Sequence, residues 1–122
     1  MKYRRQGSRL FIRLETGEKV HAALTSIAER EGVAGGFVCG LGAVRDVELG
    51  YYDLARKDYD RKSIAEEVEL ASASGTLSVL EGKPHLQLHA VVSDRECRAY
   101  GGHVFSSIAA ATVEFFVEFS LE

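Results

Sequence analysis

The chain has 122 residues, of which 46% are hydrophobic and 27% are charged. This is the composition of an ordinary globular protein, so we expect one domain over residues 1–122 and exclude intrinsic disorder. Fifteen Lys and Arg against eighteen Asp and Glu give a net charge of −3. That balance disfavours strong autonomous DNA binding, because phosphate neutralisation supplies most of its affinity.

The sequence predicts neither a targeting signal nor a membrane-spanning segment. No apolar run reaches the ~18 residues that a membrane-spanning helix requires. The basic N-terminus leads into alternating residues and not into an apolar signal-peptide core. Two cysteines are too few for a disulfide framework and fit a reduced compartment. We therefore expect a cytoplasmic protein with no membrane partner.

The first predicted elements are a strand and a helix. Residues 8–14 alternate between polar and apolar side chains, which predicts a strand. Apolar residues then recur at helical spacing as far as Gly32, a natural C-cap. These features predict a helix over residues 17–31, with Thr16 as its candidate N-cap.

The rest of the chain is predicted to form strands and turns. The charged segment 55–64 is expected to be a loop, and residues 107–111 a short helical turn. The resulting fold class is α+β, with a mostly antiparallel sheet of about seven strands, one long helix and a short second helix. The later predicted strands are 35–41, 43–52, 66–72, 75–80, 85–93, 98–100 and 109–121.

Three polar side chains alternate along the predicted strand 85–93. His85, Gln87 and His89 share one face, opposite the leucines. A tight turn follows, and a hairpin of this length can return His103 beside His89. Two imidazoles on adjacent strands are a common beginning of a Zn²⁺ site. The spacing is equally compatible with an exposed sheet face that binds no metal.

Other residues with chemical potential have simpler interpretations. Cys39 lies in an apolar, glycine-rich strand and is expected in the core. Cys97 is expected to pack against apolar neighbours and not to bind metal. His21 is expected on the helix surface.

Positive charge gathers near the N-terminus and again around residues 56–62. Its ordinary interpretation is a solvated surface. If the protein contacts DNA, the candidate residues are Arg4, Arg5, Arg9 and Arg13.

An ordered series of motifs covers nearly the whole chain. They are GLGAV at 40–44, LGYYD at 49–53, EVEL at 67–70, PHLQLH at 84–89 and GGHV at 101–104. Together they resemble the plant and prokaryote conserved (PPC) domain, which also occurs in plant AT-hook nuclear proteins. The resemblance implies an α+β fold assembled as a homotrimer, and prokaryotic members are often described as DNA-binding.

The resemblance also implies a metal site in some members. Its ligands are a His-x-His pair on one strand and the histidine of Gly-Gly-His, and the fold resembles part of acetolactate decarboxylase, a zinc lyase. In this chain Gln87 takes the first position of the pair, so only His89 and His103 carry over. His85 is the candidate substitute, about 6.5–7 Å further along the strand. Zinc is therefore expected to bind weakly or not at all.

Three functions remain open. The leading hypothesis is a small homotrimeric PPC-domain protein that binds DNA or another protein, or has a regulatory role. The sequence has no AT-hook, the DNA-binding motif of the plant proteins. The alternative is a zinc-dependent enzyme or small-molecule binder. The third is a purely structural trimer. The Phe- and Val-rich strand 109–121 is the predicted contact between subunits.

Overall fold

Alternating apolar residues form strands along most of the chain. The computed structural model describes residues 1–122, Met1–Glu122, and contains seven strands and one helix. The elements are β1 (Lys2–Gln6), β2 (Arg9–Glu15), α1 (Val20–Glu31), β3 (Gly35–Asp53), β4 (Asp58–Ile64), β5 (Val68–Leu80), β6 (Lys83–Ser93) and β7 (Ala99–Ser120).

The strands form one antiparallel sheet in the order β1-β2-β7-β6-β5-β3-β4. β3 also pairs with β7, so β3, β5, β6 and β7 close into a ring. The helix α1 contacts β6 and β7. At twelve residues it is too short to cross a membrane.

The inner side of this sheet and one face of α1 enclose a core of 28 buried residues. β2 contributes Leu10, Ile12 and Leu14, and the helix contributes Leu24 and Ile27. Fully burying a side chain of this size stabilises the fold by about 1.5–3 kcal/mol. The same alternation leaves the opposite side chains of each strand on the outer face, where the candidate site lies.

The predicted sheet and helix are present, but the helix begins later than predicted. It ends at Gly32 as expected, with φ of 68° in the left-handed region. It starts at Val20, with Lys19 as the N-cap, because Ala109 of β7 donates a 2.9 Å backbone hydrogen bond to the carbonyl of Glu18 and holds this segment extended. Thr16 is not a cap; its hydroxyl donates to the carbonyl of Ala111 at 2.7 Å.

Two local predictions were wrong. Residues 107–111 are not a helical turn but part of β7, since Ile108 and Ala109 pair with β3. Residues 58–64 are not a loop but the edge strand β4, paired with β3. An edge strand tolerates this charged sequence because only Ile64 is buried.

Three pairs of predicted segments are single long strands. Residues 35–41 and 43–52 are both in β3, 66–72 and 75–80 largely in β5, and 98–100 and 109–121 largely in β7. The expected hinge in β3 is a register shift between Gly40 and Gly42. Gly42 has φ of 149°, and a Cβ there would overlap the carbonyl of Thr112. The glycine therefore bends β3 without interrupting it.

Candidate functional site

His89 and His103 face each other across the β6–β7 hairpin. They are direct cross-strand partners, and their ring centroids lie 5.5 Å apart with an interplanar angle of 86°. The hairpin therefore returns His103 beside His89, held by backbone pairing and not by a loop. That these two histidines act as metal ligands stays a prediction.

Aromatic side chains surround His103 on the outer face. Its ring centroid lies 4.7 Å from that of Phe105 and 5.3 Å from that of Tyr59. Both neighbours lie over Gly50, the cross-strand partner of His103. A Cβ at Gly50 would come within 2.9 Å of Tyr59 and closer still to Phe105. The missing side chain thus lets the rings pack directly on the backbone.

The electrostatic surroundings favour a neutral imidazole at His103. Burial lowers its pKa, and positive charge on His89, Arg61 and His85 lowers the pKa further. Arg61 lies 3.8 Å from the centroid of the Phe105 ring. The Nδ1 atom of His103 is buried and has no hydrogen-bond partner. A neutral imidazole is the form that binds metals.

Gln87 and His85 extend the exposed face away from this pair. Gln87 lies opposite Thr76 of β5, and His85 lies opposite Ser78. The pairing between β6 and β7 starts at His89, so neither residue has a partner on β7. Only His89 and His103 are brought together as direct partners.

These residues do not form a complete metal centre. No three His, Cys, Asp or Glu side chains lie close enough to hold a metal ion. Catalytic zinc sites use three protein ligands, and a glutamine amide is a poor one for zinc. His89 and His103 therefore place two imidazoles side by side, one fewer protein ligand than such a zinc site uses.

The four candidate arginines lie on the β1–β2 hairpin but on two sides of it. Arg4, Arg9 and Arg13 project from the outer face, since Arg4 is the partner of Phe11. Arg9 lies 3.8 Å from Glu118, and Arg13 lies 3.9 Å from Glu15.

Arg5 lies on the opposite side of the hairpin. It pairs with Glu31 at 3.2 Å and lies over the ring of Phe119. Arg4 is the only one of the four without a carboxylate within 4 Å.

The sequence matches the Plants and Prokaryotes Conserved (PCC) domain over residues 1–119. The chain belongs to this family, also abbreviated PPC. No curated protein matches it.

Solved structures of similar proteins cover nearly the whole PPC domain. A "putative DNA-binding protein" from Bacteroides thetaiotaomicron is 26% identical, with a TM-score of 0.94 over 99% of this chain and 85% of that one. A protein of the same name from Ralstonia eutropha is 26% identical, with a TM-score of 0.89 over 98% and 83%. A metal-containing protein from Archaeoglobus fulgidus is 30% identical, with a TM-score of 0.86 over 98% and 86%.

The PPC domain also exposes an apolar outer face that the sequence analysis missed. Cys39 was expected in the core but is exposed, because the core side of β3 is taken by Val38. Cys97 is exposed as well, in the β6–β7 turn. Strict alternation of Phe37, Cys39 and Leu41 was the signal for this face.

Part of this face is an aromatic groove lined by Phe11, Cys39, Leu41 and Phe116, with a volume of about 490 Å³. Phe11 and Phe116 form one wall, 5.2 Å between ring centroids, and Cys39 and Leu41 form another. Most apolar residues of β7 are not available for such a surface. Val113, Phe115, Val117 and Phe119 are buried in the chain's own core.

His21 is the remaining residue with an unusual environment. It is half-buried on α1, where a surface position was expected, and its Nδ1 atom is buried without a hydrogen-bond partner. Burial lowers the pKa of His21, and the charge of His103 lowers it further; the nearby backbone of Val104 partly offsets both. We assign it to the packing of α1 and not to the site.

Proposed function

We propose that this PPC-domain protein is a homotrimer of the cytoplasm with a DNA-binding or regulatory role. The likeness over nearly the full chain to two proteins named "putative DNA-binding protein" supports the DNA partner. In the structure, the observation that carries it is the exposed face of the β1–β2 hairpin, where Arg4, Arg9 and Arg13 lie together. Another protein remains the alternative partner of the same surface.

The predicted DNA binding is weak and sensitive to salt. Arg9 and Arg13 lie near carboxylates, but such exposed ion pairs contribute only about 0–1 kcal/mol and a phosphate can replace them. Each phosphate contact lowers log K by about 0.9 per unit of log salt concentration. Self-association through the aromatic groove would cover Arg13, which lines that groove, and leave Arg4 and Arg9 of each subunit to contact DNA. These arginines give a measurable slope without tight binding.

Fluorescence polarisation with a labelled 20-base-pair duplex (about two helical turns), at about 0.05 M and 0.2 M salt, tests this proposal. Arg4→Gln should weaken binding and reduce the salt slope by about 1. Arg95→Gln, an exposed arginine in the β6–β7 turn, is the matched control and should leave both unchanged. Tight, sequence-selective binding at 0.2 M salt, or equal effects of the two variants, would contradict the hairpin as the contact.

The aromatic groove supports self-association. Leu41 is 58% exposed and Phe11 is 44% exposed, which is a large apolar area to leave in water. Acidic Glu114 and basic Arg13 line the groove, so the face presents charges of both signs. In a cyclic trimer each interface joins two different patches, so the groove of one subunit would pack against another surface of the next copy.

A zinc-dependent enzyme or small-molecule binder is the second candidate. The observation that favours it is the facing pair His89 and His103. The pair lacks a third strong ligand, so the expected zinc affinity is low. Zinc titration of the unmodified chain decides between this function and a trimer in which the histidines bind nothing.

A further inference from the structure

A polar groove lies beside the histidine pair, on the outer face of β3, β5 and β6. It has a volume of about 310 Å³ and is lined by Phe37, Ser74, Gly75, Thr76, Gln87 and His89. The register places its polar groups in two rows. Ser74 lies opposite His89, and Thr76 lies opposite both Gln87 and Phe37.

The chemistry of this polar groove differs from that of the surrounding surface. None of its lining residues is an acid, a lysine or an arginine. The hydroxyls of Ser74 and Thr76 and the amide of Gln87 both donate and accept hydrogen bonds. None of these side chains hydrogen-bonds to another residue of the chain, so all are available to a ligand.

Phe37 gives the groove a flat apolar wall. Its side chain is 66% exposed, although Phe37 pairs with a strand on each side near the start of β3. The open face of a phenylalanine ring beside hydrogen-bonding groups suits a planar ligand with polar edges, because stacking and edge recognition then act together. The volume is at the lower limit of about 300 Å³ for ligand pockets, so the groove has room for one small ring system of a ligand.

We propose that the polar groove binds a neutral nucleobase, which stacks on Phe37 and is hydrogen-bonded by Gln87. A glutamine amide pairs with the adenine edge through one donor and one acceptor. Ser74 and Thr76 lie close enough along the same face to recognise further ring nitrogens or carbonyl groups. At the position where the family resemblance implies a metal-binding histidine, this chain has an amide that reads a base.

The base could belong to a free nucleoside or to single-stranded DNA. This inference does not rest on DNA binding by the β1–β2 hairpin, which is a separate surface. The variant Arg4→Gln distinguishes the two surfaces, because it should weaken binding of duplex DNA to the hairpin and leave binding of a nucleoside to the polar groove unchanged.

The test is ligand-observed NMR with adenosine at about 1 mM, a range suited to weak ligands, with a chelator present to exclude bridging metal. Adenosine should bind the unmodified chain. Phe37→Ala and Gln87→Met should each weaken binding, the former by about tenfold or more, as expected for loss of base stacking. Tyr51→Ala, which removes an exposed aromatic ring outside both grooves, is the matched control and should bind normally. If Phe37→Ala does not fold, Gln87→Met carries the test alone.

Two further ligands identify the source of the base. Binding of a ten-residue deoxyadenosine strand (within the usual footprint of about 4–16 nucleotides) with the same dependence on Phe37 assigns the groove to single-stranded DNA; binding of adenosine alone assigns it to a free nucleoside. Either result supports the proposal. Absence of adenosine binding, equal affinity in all variants, or equally good competition by ribose alone would overturn it.

Discussion

His89 and His103 are direct cross-strand partners whose ring centroids lie 5.5 Å apart. Both belong to paired strands, so the sheet fixes their separation before any ligand arrives. Gln87 lies two residues from His89 on the same face, about 6.5–7 Å along the strand. One substitution there would place three imidazoles on two neighbouring strands.

Gln87→His should strengthen zinc binding by at least tenfold, which corresponds to about 1.4 kcal/mol. The reason is the replacement of a poor amide ligand by imidazole beside an existing histidine pair. Competition titration against a chelating dye measures the variant and the parent side by side.

His103→Ala in the Gln87→His background should abolish that gain, since two protein ligands rarely hold zinc well. His85→Gln is the second control, and it should change nothing. If the parent already binds zinc tightly and His85→Gln weakens it, His85 fills the site instead. If no variant binds zinc, the three positions do not converge on a metal.

Light scattering at micromolar concentration should give about three chain masses, the assembly that the family resemblance implies, with the exposed apolar side chains of the aromatic groove buried between subunits. Phe116→Arg should shift the protein towards the monomer by placing a charge in that groove. Tyr51→Arg, on an exposed residue outside the groove, should not. A monomeric parent would disprove the assembly.

The two cysteines give an independent measurement of the same surface. Cys39 lies in the aromatic groove and Cys97 in an exposed turn, and both are accessible in a single chain. If subunits cover the groove, alkylation followed by mass spectrometry should label Cys97 much faster than Cys39. Phe116→Arg should equalise the two rates, while equal rates in the parent would place the subunit contact elsewhere.

Stability should fall as the pH decreases below about 6.5, the ordinary pKa of histidine, and part of this loss should come from His21. Its pKa is lowered in the folded protein, so the unfolded chain binds its proton first and is favoured as pH falls. Thermal unfolding between pH 7.5 and 5.5, a window around the ordinary histidine pKa, measures the effect.

His21→Asn should flatten the decline in melting temperature, because the half-buried imidazole that disfavours protonation is then absent. The acidic groups with lowered pKa have ordinary values of 3.8 and 4.5, so they contribute mainly below this window. An unchanged slope in His21→Asn would show that its burial is not maintained in solution.

Gly50→Ala should destabilise the protein by about 1–3 kcal/mol, the usual cost of overpacking. Its new methyl group would displace the rings of Phe105 and Tyr59. Gly35→Ala is the matched control, because the nearest atom to its added Cβ is 4.0 Å away. Urea unfolding measures both, and equal stability of the two variants would contradict the packing around His103.

Local patterns predicted the elements whose signal lies within the element itself. The alternation of His85, Gln87 and His89 against the leucines indicated β6 and its exposed face, and Gly32 marked the end of α1. Both depend only on strand or helix periodicity and on a backbone preference.

Features that depend on a distant partner were not predictable. The charged segment of β4 is a strand only because β3 extends far enough to pair with it. Residues 107–111 are extended because β3 pairs with them, and the helix begins late because β7 holds Glu18. Cys39 was misplaced because its apolar neighbours suggested burial, whereas the alternation of β3 turns it outward.

The central position of β7 has a consequence for biosynthesis. Leu10 of β2 pairs with Val117 of β7, so β2 is synthesised early but can join the sheet only after β7 has been synthesised. Until then the hairpin of β1 and β2 has no sheet to join, and one edge of β3 is open. Such long-range pairing slows folding and leaves strand edges exposed to other nascent chains. Until β7 has been made, the charged edge strands help to protect the open sheet from aggregation.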